Sequence, residues 1–186
     1  MRIISGSLRG SKLYTLEGLD TRPTLDRVKE ALFSKINFDL EDSVILDLFS
    51  GSGALAIESL SRGAKKAYLC DSSIHAVKII KQNIEKTRTL EETIVLNCDY
   101  KKALEKFTKE KIKFDFVFLD PPYLTDYAEK AAKIIVQNDL LNENGQIILE
   151  TDNKTKVIDN LDKNLIKIND IKKYGRVYLL FLSREV

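Results

Sequence analysis

The chain has 186 residues, of which 44% are hydrophobic and 31% charged, and its formal net charge at pH 7 is +2. This composition is ordinary for a soluble, single-domain globular protein, and so small a net charge does not by itself imply a nucleic-acid partner. Two cysteines without metal-like spacing and one histidine argue against a zinc site, and no apolar run reaches the roughly 18 residues of a membrane span. We therefore expect a cytoplasmic protein that binds no metal and no membrane.

The first forty residues differ in pattern from the rest of the chain. Residues 1–22 consist of short strand-like pieces interrupted by glycines, and the first twelve residues carry three basic charges, Arg2, Arg9 and Lys12, without an acid. Residues 23–38 have apolar side chains at helical spacing and predict an amphipathic helix, with Pro23 suited to its first turn.

Short apolar runs then alternate with helical patterns. Strands are predicted at 43–49, 66–71, 93–99, 114–120 and 146–152, and helices at 55–62, 73–86 and 127–137. Continuous apolar strands are typical of a parallel sheet covered on both faces, so the alternation predicts an open, twisted α/β sheet. Residues 165–171 and 177–182 flank a turn at Tyr174-Gly175 and predict a closing hairpin.

The first predicted strand ends in DLFSGSGALA, a glycine-containing turn before a helix. Gly51 and Gly53 allow the backbone to turn sharply and to approach a ligand closely. Asp47, just before the loop, suits an ammonium group and would repel a pyrophosphate. The spacing also satisfies G-x-G-x-x-A, so dinucleotide binding, or a tight turn without a ligand, stays open.

Two further acids follow predicted strands. Asp71 is placed to accept hydrogen bonds from both hydroxyls of a ribose, and Asp99 from an adenine amino group. A solvated turn at Asp71 and a helix cap at Asp99 are the alternatives. Together the three loops predict a nucleoside pocket with an ammonium partner, which fits S-adenosylmethionine better than NAD.

The fourth strand ends in FLDPPY. Prolines have no N–H and a fixed φ, so the Asp120 carboxylate and the Pro121 carbonyl can both accept hydrogen bonds from one planar amino group. Tyr123 can stack on an extruded base. A carboxylate matches the adjacent N1–H and N2 amine of guanine better than the mixed edge of adenine. The loop has no cysteine, which excludes methylation at C5 of cytosine.

Four segments, MRIISGSLRGSKL, RPTLDRVKEALF, ILDLFSGSGALAIESLSRGA and FLDPPY, occur in this order and resemble the bacterial 16S ribosomal RNA guanine-N2 methyltransferases of the small subunit. The resemblance implies a Rossmann-like class I methyltransferase fold, with a seven-stranded, mostly parallel sheet, a C-terminal antiparallel hairpin and a small N-terminal β/α extension. It also implies that S-adenosylmethionine is the methyl donor and S-adenosylhomocysteine the product. The implied enzyme is a monomer that acts on 16S rRNA within the 30S subunit or a late assembly intermediate.

The resemblance assigns roles to individual positions. Residues 1–40 would form an RNA-docking hairpin and helix, and residues 41–186 the methyltransferase domain. Those implied to hold the cofactor are Asp47, Phe49, Ser50, Gly51, Ser52, Gly53, Asp71, Asp99 and Tyr100. Those implied to hold the target amine are Asp120, Pro121, Pro122 and Tyr123. Those implied to contact rRNA phosphates are Arg2, Arg9, Lys12, Arg22 and Arg27.

The chain departs from the family pattern at a few positions, and other functions remain open. Asp71 stands where Glu is common, Ser50 where Ala is common, and Ala56 where Gly is usual. The DPPY turn also serves methylation of adenine N6 in DNA, which is one alternative. A nicotinamide-dependent oxidoreductase that uses G-x-G-x-x-A is a second, and an RNA-binding module without activity is a third.

Overall fold

A computed structural model describes residues 1–16, 23–122 and 125–185. Its strands form one seven-stranded sheet in the order β3-β2-β1-β4-β5-β7-β6. The strands are β1 Val44–Asp47, β2 Lys66–Asp71, β3 Thr93–Asn97, β4 Phe114–Leu119, β5 Leu141–Thr151, β6 Ile166–Tyr174 and β7 Val177–Arg184. Both pairings of β7 are antiparallel, and the other four pairings are parallel. The predicted fold class, with its C-terminal hairpin, is confirmed.

Helices cover both faces of the sheet. They are α1 Pro23–Ile36, α2 Ala54–Ser61, α3 Ile74–Thr87, α4 Tyr100–Glu110, α5 Tyr127–Gln137 and α6 Lys154–Asn160. The apolar sides of α1, α2 and α3 pack on one face in a single cluster, and those of α4, α5 and α6 pack on the other. This two-sided cover explains why the central strands are apolar throughout. In the described part of the chain, no helix is long and apolar enough to cross a membrane.

Most of the predicted elements are confirmed. Helices α1, α2, α3 and α5 appear where the spacing predicts them, and the Ser73 hydroxyl caps α3 by accepting a hydrogen bond from the Ala76 N–H at 3.3 Å. Helices α4 and α6 were not predicted. Strand β5 begins at Leu141, five residues before the predicted start, because a register shift against β4 adds the polar residues 142–145 to the strand.

The N-terminal segment, residues 1–16, lies against α2. Arg2 and Lys12 form an isolated antiparallel bridge, so the expected strand-like pieces amount to one bridge in the described residues. Ile3 and Leu13, each one position further along, are buried in a small cluster with Ile57 of α2. Because neighbouring residues of an extended chain point to opposite sides, Arg2 and Lys12 face outward.

Glu58 of α2 fastens this segment to the body of the protein. Its carboxylate is fully buried and accepts hydrogen bonds from the N–H groups of Ile4 at 2.8 Å and Ser5 at 3.0 Å. The same carboxylate forms ion pairs with Arg62 at 2.9 Å and Lys29 at 3.2 Å. We call this arrangement the Glu58 clasp. Two N–H groups and two cations thus surround this carboxylate, and a buried charge requires such pairing.

A glycine is required where the segment crosses the end of α2. Gly6 has φ +83°, and a Cβ at this position would lie 1.7 Å from the carbonyl oxygen of Ser61. The next residue, Ser7, donates its N–H to that same oxygen at 2.7 Å. The chain therefore approaches α2 too closely for any side chain at position 6.

Candidate active site

A cleft of about 580 Å³ opens at the carboxyl edge of the parallel strands. It is bordered by the loops that follow β1, β2, β3 and β4, as expected for ligand sites in open α/β sheets. Its other wall is formed by Met1 and Leu16 of the N-terminal segment and by Val28 and Lys29 of α1. The four strand-end loops that the sequence singles out thus border one cleft.

The loop after β1 turns on its two glycines. Gly51 and Gly53 have φ of +54° and +77°, and the Gly53 N–H closes the turn on the Ser50 carbonyl at 2.7 Å. Ser50, Gly51 and Ser52 line the cleft, whereas Gly53 is not among the lining residues. A Cβ at Gly53 would lie 2.9 Å from Leu69 of β2. Of the predicted cofactor residues, Gly53 alone thus shapes the loop without bordering the cleft.

Asp71 and Asp99 line the cleft and are held in place by the backbone. The Oδ2 atom of Asp71 accepts the Gly51 N–H at 2.9 Å, and its Oδ1 accepts the Ser73 N–H at 2.9 Å. Asp99 caps α4 by accepting the Lys101 N–H at 2.9 Å, so the expected alternative of a helix cap coexists with a place in the cleft. Each carboxylate oxygen can accept a second hydrogen bond, which leaves capacity for a ligand.

Asp47 and Asp120 form an interacting acidic pair that lines the cleft. Asp47 is only 2% exposed, and its Oδ2 atom has no hydrogen-bond partner among the described residues. Burial, with repulsion from Asp71, raises the pKa of Asp47 to about 7. Asp120 has an exposed side chain that lines the cleft; partial desolvation by the cleft walls and the charge of Asp47 raise the pKa of this carboxyl above its ordinary value. The pair is suited to a cationic ligand that would neutralise it.

Three aromatic rings form one wall of the cleft. Phe49 lies 5.6 Å from Tyr100 and is stacked on Tyr127 at 6.5 Å, and the two tyrosine rings are 5.2 Å apart. Phe49 and Tyr100 were predicted from the family resemblance, and Tyr127 was missed. The available signal was an aromatic residue at the start of α5, directly after the DPPY turn. Such a wall can pack against a planar base.

The Pro-Pro turn follows β4 at the same edge. Asp120, Pro121 and Pro122 all line the cleft, so the predicted amine-binding residues lie beside the predicted cofactor residues. A hydrogen bond stabilises the turn: the Thr125 hydroxyl donates to the Pro122 carbonyl at 2.8 Å. Tyr123 lies outside the described residues.

Four of the five predicted RNA-binding residues belong to the N-terminal segment or to α1, the two elements that complete the cleft wall. Arg2, Arg9, Lys12 and Arg27 are exposed, and none of them forms an ion pair with an acid whose side chain the structure describes. Arg2 and Arg27 each neighbour a cleft-lining residue in sequence. Arg22 lies outside the described residues. All four described cations are therefore exposed, and Arg2 and Arg27 are next in sequence to the cleft lining.

Residues 1–183 match the protein family described as "Conserved hypothetical protein 95". The chain belongs to this family. Its relatives include the "Ribosomal RNA small subunit methyltransferase D" of Haemophilus influenzae, which is 36% identical over 168 residues, covering 90% of this chain and 86% of the relative. The family resemblance drawn from the four sequence segments is confirmed.

Solved structures agree with the fold. The Escherichia coli protein yhhF, provisionally assigned as a methyltransferase, superposes with a TM-score of 0.82 at 27% identity and covers 100% of this chain and 98% of its own. SMU.776, also provisionally a methyltransferase and solved in complex with SAH, has a TM-score of 0.70 at 15% identity, with 89% of this chain and 50% of its own covered. This second likeness, at 15% identity, shows the fold alone.

Proposed function

We propose that this protein transfers a methyl group from S-adenosylmethionine to the exocyclic N2 amine of a guanine in 16S rRNA. The observation that carries the proposal is the meeting of two motifs in one cleft: the Asp120-Pro121-Pro122 turn and the loop that contains Gly51. The first is suited to an amine and the second to a nucleoside cofactor. The name of the Haemophilus influenzae relative supports ribosomal RNA of the small subunit as the substrate class.

The residues of the cleft fit the cofactor. Asp71 would accept hydrogen bonds from the ribose, Asp99 would accept from the adenine amine, and the ring of Tyr100 would pack against the base. The buried Oδ2 atom of Asp47 has no hydrogen-bond partner among the described residues. It fits the ammonium group of the cofactor, because a cation would neutralise a carboxylate that is shielded from water. When bound, S-adenosylmethionine supplies an electrophilic methyl group on a positively charged sulfur and leaves as S-adenosylhomocysteine.

The Pro-Pro turn would position the nucleophile. Asp120 and the Pro121 carbonyl accept hydrogen bonds from the two N–H groups of the target amine, which leaves its lone pair directed away from them and toward the methyl donor. Holding the amine in this orientation removes much of the entropic barrier. The Asp120 carboxylate also stabilises the positive charge that develops on the nitrogen, which then loses its proton.

The choice of guanine follows from the acceptor character of the site. An ionised carboxylate only accepts hydrogen bonds, and guanine presents N1–H and the N2 amine side by side. Adenine presents an acceptor beside its amine, which a carboxylate would repel. This difference supports guanine over the adenine-N6 alternative.

The basic wall would hold the RNA. Arg2, Arg9, Lys12 and Arg27 contact phosphates without reading sequence, and we extend the same role to Arg22. Phosphate contacts of this kind set the position of the RNA so that one base can be turned out into the cleft. The proposed substrate is the 30S subunit or a late assembly intermediate, and the enzyme acts in the cytoplasm as a monomer.

Mass mapping of methylated nucleosides in 16S rRNA tests the proposal. Cells without the protein should lose one N2-methylguanosine, and a plasmid copy of the wild-type chain should restore it. In parallel, the purified protein should methylate 30S particles from those cells but not duplex DNA. An unchanged set of methylated nucleosides in 16S rRNA would overturn the proposal, and methylated adenine in the duplex would favour the DNA alternative.

A further inference from the structure

A second, smaller cavity of about 250 Å³ lies across the Pro-Pro turn from the cleft. Pro121, Pro122 and Glu150 border both spaces, so the turn separates them. The walls of the smaller cavity are completed by the first turn of α5, the end of β5 and the start of α6. It is less than half the volume of the cleft and therefore suits a single small group beside the reacting amine.

Glu129 of α5 makes this cavity chemically distinctive. The side chain lines the cavity and is only 6% exposed, and its Oε1 atom has no hydrogen-bond partner among the described residues. Leaving a buried carboxylate oxygen without a donor is costly, and such atoms are rare in folded proteins. A ligand with N–H groups would supply the missing donor. Nothing in the proposed methyl transfer uses Glu129.

The rim of the cavity carries a cation. Lys156 of α6 is exposed and donates one hydrogen bond from Nζ to the Thr125 carbonyl at 3.0 Å. An ammonium group has three donors, so two remain for a ligand at the rim. The buried Glu129 and the exposed Asp152, which also border the cavity, would repel a phosphate from its interior. The arrangement therefore suits a ligand with N–H donors at one end and a negative charge at the other, which is the chemistry of a nucleotide.

We propose that the second cavity receives the base of a nucleotide adjacent to the target, with Glu129 accepting its N–H groups and Lys156 contacting its phosphate. This proposal rests on the proposed function, because it assumes that the amine held at Pro121 belongs to an RNA nucleotide. Consecutive nucleotides are joined by a single phosphate, so a neighbour of the target base can reach a space on the far side of a two-residue turn. Glu129 thereby helps to select the base next to the methylated one, whereas Lys156 holds the phosphate without reading sequence.

Abasic substitution in the RNA tests the pairing directly. A 16S rRNA fragment that the wild-type enzyme methylates is prepared with an abasic site at each position flanking the target, one at a time. With wild-type enzyme, one flanking position should raise KM about tenfold, with little change in kcat, because a charged hydrogen bond is lost. The Glu129→Gln variant should show a similar rise with the intact fragment and no further rise with that abasic fragment.

Three further measurements separate recognition from a general effect on folding. Glu129→Gln should bind S-adenosylhomocysteine as the wild type does, and Lys156→Ala, a change at an exposed residue, should raise KM by several-fold. Lys163→Ala, an exposed lysine after α6, should leave KM unchanged. Loss of affinity that is the same at every abasic position, or an additive loss in Glu129→Gln at all of them, would overturn the proposal.

The two proposals fail in different ways. If the wild-type enzyme methylates no 16S fragment and no 30S particle, the proposed function falls, and the second cavity loses its assigned ligand with it. If the wild-type enzyme methylates the RNA but Glu129→Gln and Lys156→Ala keep the wild-type KM, only the adjacent-nucleotide proposal is wrong.

Discussion

Glu58 and Asp47 are both buried acids, yet their surroundings differ completely. Glu58, under the N-terminal segment, receives two backbone N–H groups and two cations. Asp47, in the cleft, keeps an oxygen without a described partner and has Asp71 and Asp120 as its charged neighbours. The first carboxylate is satisfied by the fold itself, whereas the second is arranged for a partner that arrives from outside. A buried carboxylate with an unpaired oxygen therefore marks the candidate binding site. A buried carboxylate whose oxygens are paired within the protein marks the structural clasp.

Removing the structural acid should have the largest effect on stability. Glu58→Ala takes the acceptor away from two cations and two N–H groups, and we expect the free energy of unfolding to fall by about 3–5 kcal/mol. Urea denaturation measures this loss. Glu91→Ala, at an exposed acid, is the matched control and should change stability by less than about 0.5 kcal/mol. A loss below about 1 kcal/mol in Glu58→Ala would show that the clasp does not hold the segment.

Removing a cleft acid should damage activity instead of stability. Asp120→Asn turns one of the two carboxylate oxygens into an NH2 donor and removes the negative charge that would stabilise the developing cation, and we expect kcat to fall about 100-fold. The affinity for S-adenosylhomocysteine should stay within about twofold, and the temperature of thermal unfolding should not fall, since Asp120 is an exposed residue. Asp159→Asn, at an exposed acid of α6, should keep wild-type kcat. Turnover near the wild-type value in Asp120→Asn would remove this carboxylate from the mechanism.

The unsatisfied acid should also make cofactor binding depend on pH. The pKa of Asp47 is raised from 3.8 to about 7, so its contribution to the stability of the free protein falls as pH rises through that interval. An ammonium ligand favours the carboxylate, so binding below pH 7 must release a proton. S-adenosylhomocysteine should therefore bind about tenfold more weakly at pH 6 than at pH 7.5, where its amino group is still mostly charged.

Isothermal titration at the two pH values measures this difference. The matched variant is Asp47→Asn, which has no titratable group at the position; it should bind weakly at both pH values and lose most of the dependence. A tenfold dependence that persists in Asp47→Asn would assign the titration to another group.

The smallest effect is expected from replacing exposed basic residues of the N-terminal segment, and it should appear in the KM for the RNA substrate. Replacing Arg2 and Arg9 together by Glu should raise KM for 30S particles about fivefold, because phosphate contacts are individually weak. The slope of log K against log salt should shrink by about 1 to 2. Affinity for S-adenosylhomocysteine should not change. Lys163→Glu with Lys167→Glu is the charge-matched control, and an equal loss in it would point to net charge instead of a docking surface.

The order of the elements could be predicted because the parallel strands of this fold are apolar on both faces and end in turn residues. The prediction failed where this signal weakens. The polar residues after Leu141 indicate a loop by composition, and only the register shift against β4 makes them part of β5. Helix α4 has apolar residues at helical spacing, Ala103, Leu104 and Phe107, and all three are fully buried, so the sequence does contain a signal for this helix. Helix α6 buries only Val157, so its sequence contains almost no such signal.

The acids of the cleft could be predicted because topology brings the carboxyl ends of parallel strands to one edge. The roles of three other residues could not be predicted from the sequence. Glu58 binds N–H groups more than fifty positions away in the chain, so its role exists only after the segment has folded back. Tyr127 and Glu129 stand on a helix whose spacing indicates only an amphipathic face. Their places in the cleft and the second cavity depend on how α5 packs against β5 and α6.

Gly6 determines how closely the N-terminal segment approaches α2. A methyl group there would overlap the Ser61 carbonyl, so even Gly6→Ala would have to push the turn that carries Arg9 outward. The segment supplies Met1 and Leu16 to the cleft wall, so lifting it would open the cleft as well as move the basic side chains. Because Gly6 has no side chain, the basic N-terminal segment lies close enough to α2 to complete the wall of the cleft.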